Sequence, residues 1–412
     1  MTVWVEVGDL IDFASRHRRP SGIQRVGFEI ALALARTVHA PGYIGFCSTA
    51  EGDDQGLAVV SHADVSTTYA ALRSGSPAGV GEARERVAHL QRGRELAARL
   101  VSGDILLTLS PPLGSWDFAT KVRNLAEGGV SVAVFMHDIV PILHPRWCEE
   151  RVTLQFERWH RALLPYADTV LTSSRTVAAD LAEWAAKASV RLRRSAAVVR
   201  LGSRFAQVCG GPTLELPRGI DPAPDPGFAL FVSTVEPRKN HALAIEIWRR
   251  AIATLGPTKV PQLVCVGRVG WLVDDLLRHL SDTSHLGGKV VLLEGVSDRQ
   301  LAQLYSSCKF TLFPSHYEGW GLPVTESLAF GKVCLASKGG AIPEAGGPHC
   351  IYFEPGSEDE AEAVLRAVLE SPSLLRRLTA AVREGFEEVT WDATAREVLA
   401  AVDVPERRPV GR

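Results

Sequence analysis

FTLFPSHYEGWGLPVTESLAFGKVCLAS, residues 310–337, holds the pattern on which the fold turns. FTLFPS (310–315) is a short apolar run of strand character, and VCLAS (333–337) is a second. Between them Gly319, Trp320 and Gly321 make a tight turn, and Leu322 and Pro323 lead into a helix. TESLAF continues that helix until Gly331 offers a left-handed stop. Strand, turn, helix and strand in so short a span is the rhythm of a parallel sheet covered by helices. The same stretch carries two acids, Glu318 in the loop and Glu326 in what reads as the first helical turn. Each has an ordinary explanation by itself: a carboxylate near a helix N-terminus gains about 0.3 to 1 kcal/mol from the dipole.

The rhythm extends in both directions. Strand candidates in the first half are residues 2–7, 43–49, 104–110, 131–138, 169–174 and 196–202, and in the second half 229–234, 262–267, 289–296, 310–315, 333–337 and 350–355. A chain of 412 residues exceeds what one core can organise, which is roughly 250 to 300 residues. The break falls in CGGPTLELPRGIDPAPDPG (209–227), too dense in Gly and Pro for helix or strand. The expected organisation is a first doubly wound α/β domain over 1–208, the linker 209–227, a second such domain over 228–390, and a terminal segment over 391–412. Residues 50–100, rich in Ala and Arg, read as helices and loops, and the tail ERRPVGR as frayed.

Composition narrows the function. Apolar residues make up 46%, charged residues 22%, and the formal net charge is −2, so no large field recruits nucleic acid or an anionic membrane. The seven cysteines are scattered and form no Cys-x-x-Cys, which suits buried thiols in a reducing compartment. MTVWVEVGDLIDF has no basic leader, and no apolar run reaches membrane-span length, so the expectation is a cytoplasmic protein, with peripheral membrane contact as one option.

In open parallel sheets ligands bind beyond the carboxyl ends of the strands. Those ends carry His137 and Asp138; Glu236 to Asn240; Arg268, Gly270 and Trp271; Gly295, Val296, Ser297 and Asp298; Glu318; and Lys338 to Gly340. Arg238 and Lys239 pair a planar fork with a compact ammonium, which suits a diphosphate; two solvated charges opening the helix KNHALAIEIW are the bland alternative. Cations at a helix N-terminus oppose the dipole, which favours a bound anion there. SGIQRV (21–26) reads as a glycine turn opening the helix GFEIALALA. His137 is either a satisfied core histidine or a strand-end reactive group.

With these residues in place, PSHYEGWGLPVTESLAFGKVCLAS resembles the signature of glycosyltransferase family four, retaining enzymes of the GT-B fold with mannosyltransferases among them. SGIQRV, FMHDIVPILHP, ADTVLTSSRTVAADL, VSTVEPRKNH, VGRVGW, LEGVSDRQLAQLYSSC and TWDATAREVL extend the resemblance in order along the chain. It implies two Rossmann-like domains facing a cleft, with the C-terminal helix crossing back to the first domain. It also implies that Glu318 binds hydroxyls of the transferred sugar and Glu326 the ribose of the nucleotide. Arg238 and Lys239 would hold the diphosphate, His137 would reach the donor sugar, and Gly22 would line the diphosphate. Gly295, Val296 and Ser297 would face the base with Arg268 near, and Gly319, Trp320, Gly321 and Leu322 would complete the donor loop.

The resemblance further implies hexose transfer with retention from a nucleotide diphosphate sugar, with GDP-mannose as the leading donor. The acceptor would be a glycan, a lipid-linked sugar or a small molecule, bound by the first domain, 1–208. No Asp-x-Asp occurs, so no metal or other cofactor is expected. Trp320, Thr325 and Ser327 depart from commoner residues and bear on sugar specificity. The open alternatives are a GT-B phosphorylase or epimerase and a non-catalytic nucleotide-sugar binding subunit. The Arg-rich stretches 82–101 and 191–195 fit a membrane surface or a solvated helix face equally well.

Overall fold

The computed structural model describes residues 1–17, 19–37, 44–49, 57–74, 81, 85, 97–98, 100–110, 117–203, 216–217, 219–220 and 227–403. Most of the expected linker 209–227, most of the Arg-rich stretch 82–101, Cys209 and the tail 406–412 lie outside them. The chain divides into two units: Met1–Gly202 together with Val389–Arg412, and Ser203–Glu388. No helix among the described residues is long and apolar enough to cross a membrane.

The first unit is built on β1 (Val3–Glu6), β2 (Ile44–Thr49), β3 (Leu57–Val60), β4 (Ala97–Ala98), β5 (Ile105–Thr108), β6 (Ser131–Met136), β7 (Thr169–Thr172) and β8 (Ala197–Val198). Among the described residues they form one sheet in the order β4-β3-β2-β1-β5-β6-β7-β8. From β2 through β8 by way of β1 and β5 the pairing is parallel, and these strands are the apolar runs of the first half. The reading of 50–100 as helices and loops holds for the helix His62–Ser74 but misses two strands. LAVV pairs antiparallel with β2 from Phe46↔Val60 to Thr49↔Leu57, and β4 adds to it at the edge. β3 lies second from the edge, between β2 and β4, and is a four-residue apolar run half open to solvent, with Val59 exposed.

The final helix, Trp391–Ala401, belongs to this first unit and packs on the helix Gly22–Thr37. Thr390 caps it by accepting from Ala393 N. Thr394 donates to Arg200 O at 2.9 Å, Arg200 Nε reaches Glu397 at 2.7 Å, and Arg36 pairs with Asp392 at 2.9 Å. Gly202 lies so close to Trp391 that a Cβ there would stand 2.5 Å from the indole.

The second unit carries β9 (Phe228–Val232), β10 (Gln262–Val266), β11 (Val290–Leu293), β12 (Thr311–Phe313), β13 (Cys334–Ser337) and β14 (Cys350–Phe353) in the order β11-β10-β9-β12-β13-β14, all parallel. Parallel neighbours need crossovers, and the helices supply them. The helix His241–Leu255 shows the local logic. Leu243, Ala244, Ile247, Trp248 and Ala251 recur at helical spacing and are buried against Phe231 and Phe313. Trp248 satisfies its indole N–H on Pro261 O at 2.8 Å, so the largest core side chain leaves no orphaned donor.

Candidate active site

Three loops at the carboxyl edge of the second sheet converge on Glu318. After β9, Pro237–Lys239 forms a short 3-10 turn, and Asn240 then takes a left-handed conformation and caps the helix that starts at His241. Arg238 and Lys239 therefore precede the helix instead of opening it, because Asn240 occupies the cap. After β12, His316 N donates to Arg238 O at 2.8 Å, which ties the second loop to the first. After β13, Gly340 forms a parallel bridge with Glu318, and Ala341 N donates to Glu318 O at 2.9 Å. Gly340 has φ of +61°, and a Cβ there would sit 2.5 Å from Glu318 O, so only glycine admits this contact.

The side chains then meet. Arg238 Nη1 donates to Glu318 Oε2 at 2.7 Å and to Tyr317 O at 3.0 Å, while its Nη2 donates to Glu236 Oε1 at 2.8 Å. Lys239 Nζ donates to Glu318 Oε1 at 2.6 Å and lies 5.6 Å from the Phe313 ring centre. Glu318 is 7% exposed. Burial alone would push its carboxyl up, but Arg238 and Lys239 beside it hold it down at about 2. The sequence suggested bare cations awaiting an anion; in the structure both are paired. Two carboxylates and two cations cancel in formal charge, and the positive groups are fixed in place.

The Gly319–Trp320–Gly321 turn ends with Gly321 at φ +108° as the cap of the helix Leu322–Ala329. Glu326 is the fifth residue of that helix, not in its first turn, since Leu322 to Thr325 use up that turn. It is 2% exposed and accepts from Tyr305 Oη at 2.9 Å, a partner on the helix Asp298–Ser307 that sequence reading did not name. Ser297 caps that helix in a capping box with Gln300: its hydroxyl accepts from Gln300 N and its own N–H donates to Gln300 Oε1 at 2.9 Å. Among 295–297, this leaves the Gly295 and Val296 backbone as the part not committed to the cap. Arg268 is exposed, with its carbonyl accepting from Val235 N at 2.9 Å.

His137 and Gly22 lie in the first unit. His137 follows β6, half-buried, with Nε2 2.8 Å from Leu109 O. Burial lowers its pKa, against the pull of the Leu109 carbonyl and Asp138, so the ring is neutral near pH 7. The carbonyl contact assigns the ring proton to Nε2. Gly22 is the exposed first residue of the helix Gly22–Thr37, so SGIQRV forms the first helical turn itself.

Two α/β units of this build, with polar chemistry gathered at strand ends, define the GT-B class of fold. Residues 215–385 match the family model for glycosyl transferases group 1. The chain is similar to the serotype-specific mannosyltransferase WbdA of Escherichia coli, 27% identical over 314 residues, which is 73% of this chain and 36% of that protein. It therefore spans little more than a third of the curated relatives it matches first. An MMP alpha-(1->4)-mannosyltransferase of Mycolicibacterium hassiacum is 39% identical over 113 residues, 26% of this chain and 28% of that one. Among solved structures, Anabaena HepE in complex with UDP-glucose superposes with a TM-score of 0.62 at 15% identity, over 97% of this chain and all of that one. Sucrose-phosphate synthase from Thermosynechococcus elongatus gives 0.60 at 17% identity, covering 98% of each.

Proposed function

We propose that this chain is a glycosyltransferase that moves a hexose from a nucleotide diphosphate sugar to a saccharide hydroxyl, with retention and without a metal. The observation that carries the reading is the Glu236–Arg238–Glu318–Lys239 cluster at the strand ends of the segment matching the group 1 family model. The named mannosyltransferase relatives support a mannosyl donor, with GDP-mannose first.

In the proposed reaction the anomeric C–O bond to the diphosphate breaks as a new C–O bond forms to the acceptor oxygen, and the acceptor proton passes to the departing phosphate. Negative charge grows on that phosphate, and donors fixed in advance stabilise it more than mobile ones do. Glu318 supplies that fixing by holding Arg238 and Lys239 on its two oxygens. In this reading Glu318 also accepts from donor-sugar hydroxyls, Glu326 reads the ribose, and the loop Gly319 to Leu322 shapes the sugar pocket. The Gly295–Val296 backbone faces the base with Arg268 alongside and the Ser297 cap supporting it.

The free thiols of Cys47, Cys148, Cys265, Cys308, Cys334 and Cys350 support a reducing, cytoplasmic setting. A thermal-shift screen of GDP, UDP and ADP, followed by transfer from GDP-mannose to mannosides, tests the reading. A ligand at about 100 times its dissociation constant adds about 2.7 kcal/mol of stability. GDP is expected to give the largest shift; no shift with any nucleotide sinks the proposal.

A further inference from the structure

The helix Leu322–Ala329, which starts beside the donor loop and carries Glu326, has a second end. Its 8 residues, rising 1.5 Å each, set that end about 12 Å from the first. There Gly331, at φ +67°, stops the helix and turns the chain towards β13, at the edge of the sheet opposite the candidate active site. A cavity of about 280 Å³ opens at this point, wholly within the second unit. Leu328, Phe330 and Gly331 form one wall, and Arg383, Phe386 and Glu388, at and beyond the end of the helix Pro372–Gly385, form the other.

Arg383 is the first sign of a ligand. Its stem lies over Gly331, where a Cβ would stand 2.8 Å from Arg383 Cγ and 3.1 Å from its Nε, so the turn and the arginine both require glycine. The Arg383 guanidinium makes no hydrogen bond or ion pair among the described residues, although the helix beside it ends in carbonyls. A cation placed only to complement the helix dipole would donate to those carbonyls. Lys332, the next residue after Gly331, is already committed to Cys308 O at 2.8 Å. Burial lowers the Lys332 pKa, and Arg383 lowers it further against the pull of Cys308. Two cations are thus held close enough to repel, and one keeps its N–H fork uncommitted.

Phe330 is the second sign. Half-buried, it lines the cavity, and its ring stacks on Tyr305 with centroids 5.2 Å apart and planes 9° from parallel. Tyr305 Oη donates to Glu326 Oε2 at 2.9 Å, and Phe330 N donates to Glu326 O at 3.0 Å. One ring stack and two hydrogen bonds therefore join the cavity to Glu326.

The lining sets the chemistry of the ligand. A guanidinium takes a phosphate through two parallel N–H donors. The helix-end carbonyls and Glu388 disfavour a second negative group, and they accept from hydroxyls. Phe330 and Phe386 offer apolar faces to a carbon skeleton. A volume of about 280 Å³ lies just under the roughly 300 Å³ at which ordinary small-molecule pockets begin, so the occupant is small.

We propose that this cavity binds a small phosphorylated polyol with its phosphate on Arg383, and that filling it tightens donor binding by bracing Phe330 against Tyr305 and thereby Glu326. The site stands on its own geometry; the coupling rests on the donor reading above.

Calorimetry on the full chain, with saturating GDP filling the diphosphate seat, measures binding of glycerol 3-phosphate, mannose 6-phosphate and inorganic phosphate to the wild type and to Arg383→Gln. At least one of the two polyol phosphates is expected to bind the wild type about tenfold or more tighter than inorganic phosphate, and the tighter of the two identifies the carbon skeleton. Arg383→Gln is expected to lose about tenfold or more of that affinity, the scale of a charge-assisted hydrogen bond, while its transfer rate without the polyol phosphate stays at wild type. GDP affinity, measured with and without the polyol phosphate, is expected to rise about fivefold, and Phe330→Leu is expected to lose that rise. Binding of neither polyol phosphate, equal binding of inorganic phosphate, or wild-type affinity in Arg383→Gln overturns the site. An unchanged or weakened GDP affinity overturns the coupling. A chain that binds a polyol phosphate through Arg383 but binds no nucleotide upholds the site and overturns the transferase reading.

Discussion

Lys239 Nζ and Glu318 Oε1 stand 2.6 Å apart, and Arg238 takes the other Glu318 oxygen at 2.7 Å, so one carboxylate orients two cations. Each side chain is mostly buried, which lowers the screening that makes surface ion pairs weak. Breaking a buried pair on one side leaves the other charge uncompensated. Glu318 is therefore expected to matter for both stability and turnover, and the two effects separate by experiment.

Glu318→Gln keeps the shape but releases Arg238 and Lys239 from their common anchor. Turnover is expected to fall about a hundredfold or more, the scale of losing one fixed donor at a developing charge, with the far-UV spectrum unchanged. Lys239→Ala is expected to fall by a similar factor. Steady-state rates near wild type in both variants would remove the cluster from the chemistry.

The pH dependence has a definite sign. The Glu318 carboxyl lies below its ordinary 4.5, at about 2, so its stabilisation is complete above pH 4.5 and drains away as pH falls towards 2. Wild type should exceed Glu318→Gln by on the order of 3 kcal/mol near neutral pH, and the gap should close on acidification. His160 and His241, held near 4 and 3 by burial, lose stability over part of the same range in both proteins and cancel in the difference. Denaturant titrations from pH 7 to pH 3 measure it; a constant gap would refute the assignment.

Tyr305→Phe removes the hydroxyl that donates to buried Glu326 at 2.9 Å. A cost of about 1 to 3 kcal/mol in stability follows from leaving that carboxylate one donor short. Donor KM is expected to rise, with kcat less affected. Calorimetric unfolding and donor saturation curves check both parts.

Transfer activity is expected to survive EDTA, because the proposed charge stabilisation runs through Arg238 and Lys239. An enzyme silenced by chelation and revived by manganese or magnesium would contradict this.

Gly202→Ala places a methyl group 2.5 Å from the Trp391 indole. Overpacking of this kind costs about 1 to 3 kcal/mol, and the loss should appear in the unfolding of the first unit. Gly202→Ala combined with Trp391→Leu is expected to recover part of it.

The sheets were legible because buried parallel strands are short apolar runs, and each of the runs named in advance falls on a strand, β9 starting one residue before its run. β3 and β4 escaped because runs of four and two residues, LAVV and AA, stand among Ala- and Arg-rich sequence and pair antiparallel, outside the strand-helix alternation of the rest of the sheet. Arg238 and Glu318 could each be named from strand-end position, but their bond spans 80 residues, and nothing local in either loop encodes the partner. Tyr305 was invisible for a related reason: it sits in an amphipathic helix where a buried aromatic reads as core, and only the fold turns its hydroxyl to Glu326, 21 residues on. Ser297 carried a local signal that went unread, since Ser-x-x-Gln before an apolar run announces a capping box.

The contact between Arg36 and Asp392 joins residues 356 apart, and the helix bearing Asp392 completes the first unit. The second unit is one uninterrupted stretch, so a ribosome delivers all of it before the first unit has its last helix. Until then the helix Gly22–Thr37 lacks the partner that covers most of it, and the unit begun first is the one finished last.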